Sequence, residues 1–120
     1  EAMKLTGAAS PEEALERLAE RMPFAMVKIS ERGCLVRKDG RTVHIPGVEV
    51  PYVDATGAGD AFLAGLLYGI FHDIAPEDAV RLGNITGANA VTRIGCLAAE
   101  MNRREMLAQM EKHYGVSLPE

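Results

Sequence analysis

The spacing of apolar and polar positions predicts one helix pattern, then several short strands, then three helices. Glu1-Ala2-Met3-Lys4-Leu5-Thr6-Gly7 reads as the last turn or two of a helix, with Gly7 at the stop position. Ser10-Pro11-Glu12-Glu13 opens a second one. Ser10 caps, Pro11 suits the first helical position, the two acids favour the positive end of the dipole, and Ser10 with Glu13 makes a capping box. Ala14, Leu15, Leu18 and Met22 trace its apolar stripe as far as Pro23. Phe24 to Ile29 is a short, mostly apolar run and reads as a buried strand. Ser30-Glu31-Arg32-Gly33 turns the chain and Cys34-Leu35-Val36 begins another strand. The Asp39-Gly40 pair is the signature of a tight hairpin, so Thr42 to Ile45 returns antiparallel until Pro46-Gly47 ends it. Val48-Glu49-Val50 reads as one more short strand.

From Gly57 onward the pattern is helical. Phe62, Leu63, Leu66, Leu67, Ile70 and Phe71 leave hardly any polar face, which predicts a helix buried on most sides. Pro76-Glu77-Asp78 starts the next, and Gly83, Gly87 and Ala90 lie on one of its faces, allowing close backbone approach. The last helix, about Arg103 to His113, is amphipathic and stops before Gly115. This order suits the C-terminal half of an α/β protein better than a complete sheet sandwich.

Composition narrows the classes. The 120 residues are 48% hydrophobic and 25% charged, the make-up of one soluble globular domain or part of one. Thirteen Lys and Arg against 17 Asp and Glu give a net charge of −4, which argues against a general electrostatic grip on nucleic acid. The apolar run Ala61 to Phe71 is far short of the ~20 residues that span a bilayer, so no membrane partner is expected. Cys34 and Cys96 make no disulfide framework, and with six methionines and no export pattern a reducing cytoplasm is the expected compartment. His44, His72 and His113 have no mutual spacing that suggests a metal site, and Met101, Met106 and Met110 read as core filler.

One segment carries chemistry. Val53-Asp54-Ala55-Thr56-Gly57-Ala58-Gly59-Asp60-Ala61-Phe62 puts a small-residue turn at the start of an apolar helix. First-turn amides there lack intrahelical partners and the dipole is positive, which makes an anion site suited to a phosphoryl group. Asp60 is the odd residue, because a carboxylate would repel a static phosphate. It makes sense as a base taking a proton from a hydroxyl that attacks phosphorus. The other reading is that Asp60 compensates the dipole and Gly57-Ala58-Gly59 is only a tight turn. A P-loop fails because Gly59 is followed by Asp60-Ala61, and a dinucleotide fingerprint fails because Phe62 stands where a small residue is needed.

Asp54-Ala55-Thr56-Gly57-Ala58-Gly59-Asp60-Ala61-Phe62 resembles the C-terminal signature of the ribokinase-like (PfkB) carbohydrate kinases, D-T-x-G-A-G-D. Glu1 to Gly7 resembles the family stretch that begins at the Glu of its N-x-x-E motif, and Val27 to Cys34 resembles the strand and turn leading to the nucleotide site. Gly83 to Ala88, which holds Asn84, and Val91-Thr92-Arg93-Ile94-Gly95 resemble the late adenine-side helix and the loop after it. The resemblance implies the C-terminal part of a three-layer α/β/α fold, with a small β-hairpin region followed by three helices. It implies that residues 1–120 form a single C-terminal fragment of a carbohydrate kinase domain, without the N-terminal sugar-binding and lid portion.

It also implies roles. Asp60 corresponds to the catalytic base, and the amides of Gly57, Ala58 and Gly59 to the anion hole around the transferred phosphoryl group. Lys28, Ser30 and Gly33 fall beside the nucleotide phosphates and ribose, and Asn84 near the adenine. Glu1 falls where the family organises Mg²⁺ through water. Asp54, with Ala55, Arg93 and Gly95, falls where many relatives hold a monovalent cation such as K⁺. Ala55 stands in place of the signature Thr, and Ser30 where relatives commonly have Gly.

The residues taken alone leave other roles open. Glu1 can fray as a terminus, and Asp54 can cap through an Asx turn. Lys28 can snorkel from a strand, and Asn84 can satisfy a neighbouring backbone group. Gly83, Gly87 and Ala90 can be helix-packing positions, and the cysteines small core residues.

The expected function is ATP-dependent phosphorylation of a hydroxyl of a small sugar or sugar acid, with ATP, Mg²⁺ and K⁺ as the implied ligands. The alternative is a non-catalytic nucleotide- or anion-binding fragment, or a structural one, that lacks the sugar site. Apolar surface left uncovered on such a fragment predicts self-association.

Overall fold

Local turn and cap chemistry sets most element boundaries. The computed structural model describes residues 1–92 and 101–119. Helix α1, Ala2–Thr6, stops at Gly7, whose φ of 74° lets its amide reach back to the Met3 carbonyl at 2.8 Å. Helix α2, Pro11–Ala19, starts where Ser10 accepts the Glu13 amide at 3.2 Å. The Glu13 carboxylate reaches one residue further back than a capping box requires, to the amide of Ala9. The helix ends before the expected Pro23, and Met22 stays 42% exposed. The residues ahead of a proline are biased out of helical geometry, and the Arg21 amide closes a tight turn on the Leu18 carbonyl at 3.1 Å.

Strands β1, Phe24–Lys28, β2, Cys34–Lys38, and β3, Arg41–Ile45, form one antiparallel sheet in the order β1-β2-β3. Its register pairs Lys28 with Cys34, Cys34 with Ile45 and Lys38 with Arg41. Asp39 and Gly40 both have positive φ, 51° and 76°, as a type I′ hairpin demands. Leu15 packs with Ala25, Val27 and Leu35 on one side of the sheet. β2 buries Cys34, Leu35 and Val36 in succession, so both of its faces are covered. The Cys34 thiol is pushed up to about 12, chiefly by that burial, which fits a small core residue rather than a nucleophile.

Residues 1–46 make one compact unit and those from Gly47 onward another. Val48-Glu49-Val50 forms no strand, contrary to expectation. Pro46 and Pro51 bracket it without amide donors, and no described strand pairs with it; Val48 packs into the helical core instead.

Helices α3, Ala58–Phe71, and α4, Pro76–Val91, run antiparallel with their backbones in close contact. A methyl on Gly65 would lie 2.5 Å from the Leu82 carbonyl oxygen, and one on Gly69 2.5 Å from the Ala79 side chain. On Gly83 it would lie 2.9 Å from the Phe62 ring. The expectation that Gly83 and Gly87 permit close approach is met. That α3 is buried on most sides is not: Leu63, Leu67, Ile70 and Phe71 are 49%, 39%, 54% and 80% exposed. The helix packs through Gly65, Gly69 and Phe62, and its opposite apolar stripe is left partly exposed. Helix α5, Arg103–Tyr114, inserts Met106 and Met110 against Leu82 and Ile85, with Met101 packed beside them, and ends at Gly115 with φ 67°.

Candidate active site

Building the site begins with the chain entering α3. Val53 and Asp54 donate their amides to the Val91 carbonyl at 2.7 and 3.0 Å, which ties this loop to the last turn of α4. The Asp54 carboxylate oxygen Oδ1 then accepts the Thr56 amide at 3.0 Å and the Thr56 hydroxyl at 2.7 Å. This is an Asx turn reinforced by a second donor.

Gly57 follows with φ 79°, a left-handed conformation that glycine adopts without a Cβ penalty. It is the N-cap of α3 and offers no side-chain cap. The Ala58 amide donates to the Ala55 carbonyl at 3.1 Å and the Ala61 amide to the Gly57 carbonyl at 2.9 Å. Between them, the amides of Gly59 and Asp60 have no acceptor among the described residues. Gly59 and Asp60 are exposed and Gly57 and Ala58 half-buried, so the turn is open to solvent. Unpaired amides at the positive end of a 14-residue helix are the kind of donors that can take an anion, and the exposed Asp60 belongs to the same first turn. The Ala58 amide, an expected donor, is engaged within the turn, and the Asp60 amide, which was not among the expected donors, has no acceptor among the described residues.

Other expected site residues are spread over both units. Asn84 is 9% exposed in α4 and its Nδ2 donates to the Tyr114 hydroxyl at 3.1 Å. Ala55 is exposed and, beyond its carbonyl bond, makes no further described contact. Arg93 and Gly95, and with them Cys96, lie outside the described residues. In the first unit, Glu1 is the N-cap of α1, with an exposed side chain that makes no capping bond. Lys28 is exposed at the end of β1. Ser30 is exposed with φ 59°, the left-handed conformation glycine would take more easily at this position. Gly33, with φ 98° and ψ −127°, occupies a region that side chains rarely enter and is buried. The turn is closed by the Ile29 amide to Gly33 carbonyl bond at 2.9 Å and braced where His44 Nε2 meets the Arg32 carbonyl at 2.7 Å.

The model of the pfkB family carbohydrate kinases matches residues 1–103. The chain belongs to that family. An uncharacterized sugar kinase of Archaeoglobus fulgidus is 40% identical over 83 residues, covering 68% of this chain and 33% of the relative. An inositol 3-kinase of Arabidopsis thaliana is 37% identical over 90 residues, 72% of this chain and 26% of the relative. A double mutant of the fructokinase of Vibrio cholerae O395, solved with fructose, ADP and potassium ion, superimposes with a TM-score of 0.80 at 35% identity. That match takes in 92% of this chain and 38% of the fructokinase. The nucleoside kinase of Burkholderia thailandensis, solved with inosine, gives 0.79 at 33% identity over 86% of this chain and 34% of its own. The α/β fold is therefore that of the ribokinase-like kinases, and the chain spans about a third of the length of the first of these relatives.

Proposed function

We propose that this chain supplies the phosphoryl-transfer part of an ATP-dependent kinase acting on a hydroxyl of a small sugar or sugar acid. The observation that carries the proposal is the open turn at the start of α3. It combines uncommitted amides, a positive helix end and one carboxylate, with no side chain capping the turn. The amides of Gly57 to Gly59, joined by that of Asp60, hold charge on the moving phosphoryl group, with Ala58 contributing least because its proton is already shared with Ala55. Asp60 accepts the proton of the attacking hydroxyl. Phosphoryl transfer asks for positioning and charge stabilisation rather than covalent chemistry, which is what such a turn offers.

Lys28, Ser30 and Gly33 flank the nucleotide phosphates and ribose in this reading, and Asn84 serves the adenine end. Asp54, with backbone near Ala55, Arg93 and Gly95, would hold a monovalent cation; carboxylate and carbonyl oxygens are the donors that hard cations take. Glu1, exposed at the start of α1, would be the residue that helps hold Mg²⁺, which would supply charge neutralisation on the phosphates.

Replacing Asp60 with Asn in the full-length kinase tests the assignment. Turnover is expected to fall by about 10²–10⁴, the usual worth of a positioned general base, while ATP still binds. Unchanged turnover refutes it.

A second reading comes from the share of each relative that is matched. The 120 residues alone form an anion- or nucleotide-binding body without turnover. Titration of the 120-residue chain with ATP, followed by a sugar-panel assay, separates the readings: binding without phosphorylation is expected. The bare stripe Leu63, Leu67, Ile70 and Phe71 leads us to expect self-association of the same chain, and a monomeric mass by light scattering would contradict that.

A further inference from the structure

The base assigned above sits in the part of a helix least able to hold itself in place. First-turn residues lack intrahelical amide bonds, and α3 has no side-chain cap to compensate. A base displaced by an ångström loses much of its effect. Something else must fix the turn.

The neighbouring helix provides it. Thr86, on α4, has three carbonyl oxygens within reach: Ala61 at 2.5 Å, and Leu82 and Gly83 of its own helix at 3.2 Å each. A hydroxyl has one proton to donate. Threonine within a helix commonly gives it to its own preceding turn, but here the much shorter distance directs it across to α3. The Ala61 backbone is thereby secured on both sides of its Cα, its amide bonded to the Gly57 carbonyl at 2.9 Å and its carbonyl to Thr86. Ala61 is covalently next to Asp60.

Gly65 makes this bond possible. In an α-helix the Ala61 carbonyl points toward residue 65, and a methyl on Gly65 would collide with the Thr86 hydroxyl. Gly87 completes the contact from the same face of α4, where an added methyl would stand 3.4 Å from the Ala58 carbonyl oxygen. The sequence drew attention to the glycines of α4 but gave no sign that the threonine among them spans the seam.

We propose that Thr86 is a positioning residue for Asp60, its hydroxyl bond to the Ala61 carbonyl fixing the first turn of α3 in the geometry that transfer requires. The proposal rests on the reading of Asp60 as the base. It does not involve direct contact between Thr86 and either substrate.

The test compares Thr86→Ala with Thr86→Ser in the full-length kinase, because only the second keeps a hydroxyl. Two readouts are taken: steady-state kinetics, and hydrogen exchange of the hydrogen-bonded amides at residues 61 and 62. Thr86→Ala is expected to lower kcat by about tenfold or more, with KM for ATP changed less than about threefold, and to speed exchange at those amides by a similar factor. Thr86→Ser is expected to restore both. Equal impairment in the two variants, which indicates packing, overturns the proposal. So does unchanged exchange in Thr86→Ala, or faster exchange with unchanged kcat. If Asp60→Asn keeps full turnover, the assignment of the base fails and the positioning role falls with it. The exchange data still show whether Thr86 anchors the turn, so the two failures are told apart.

Discussion

Helices α3 and α5 both begin at the surface of the same unit, yet their starts are built in opposite ways. At α5, the Asn102 side chain accepts the Glu105 amide at 2.9 Å and the Glu105 carboxylate accepts the Asn102 amide at 3.3 Å. That closed capping box meets the needs of the end from within. At α3 the cap is Gly57, no side chain bonds back, and the amides of Gly59 and Asp60 face outward. Asp60 and Glu105 hold the same position, third in their helices, yet only Glu105 has its carboxylate recruited to the cap. A helix end that forgoes available stability is a place where a ligand can supply the missing bonds.

This contrast can be broken in several ways, the largest effect first. Asp60→Asn and Glu105→Gln make the same chemical change at the same helix position. Assayed in the full-length kinase, the first should lower turnover by about 10²–10⁴ and the second should leave it within about twofold. Comparable losses from both would mean that the two starts do the same job.

Backbone strain gives the next effect. Gly57→Ala places a Cβ on a residue with φ 79° and should cost about 1–2 kcal/mol, read as a lower denaturant midpoint. Asn102→Ala should cost about 1 kcal/mol by losing its cap. Nucleotide tells the two variants apart: ATP-dependent stabilisation should weaken in Gly57→Ala and persist in Asn102→Ala.

Inorganic phosphate sharpens the point further. At ten times its dissociation constant it should add about 1.4 kcal/mol to the stability of the parent protein. Asn102→Ala should respond equally, and an unresponsive parent protein would count against the open turn as an anion site.

The smallest effect is a control away from both helix starts. Cys34, its folded pKa raised from 9.0 to about 12 by burial, contributes stability that is fully present below about pH 9 and is lost progressively as pH rises toward 12. Alkylation of this thiol at pH 8 should therefore require unfolding, with or without ATP.

Features set by neighbouring residues were legible in the sequence. Gly7, Ser10-Pro11 and Asp39-Gly40 act through backbone dihedrals and short-range bonds, and all three stand where the pattern placed them. The helix start at Gly57 to Asp60 was legible for the same reason. What lay outside the pattern was set by tertiary partners. Val48 to Val50 has strand composition but no strand beside it among the described residues. Hydrophobicity alone could not show that α3 would pack through Gly65 and Gly69 and leave Leu67 and Ile70 exposed. The commitment of the Ala58 amide to Ala55, and the reach of Thr86 across to Ala61, depend on distances that only the folded chain defines.

The glycine contacts between α3 and α4 have a mechanical consequence. With Gly65 and Gly69 bringing the two backbones together, few pliable side-chain atoms lie between them at those positions to absorb a shift. A displacement of α4 is then handed on to α3 almost undiminished, and the carboxylate and amides at its tip travel as one body. Under the function proposed above, a push on α4 would therefore reach the α3 turn through rigid leverage rather than through local softening.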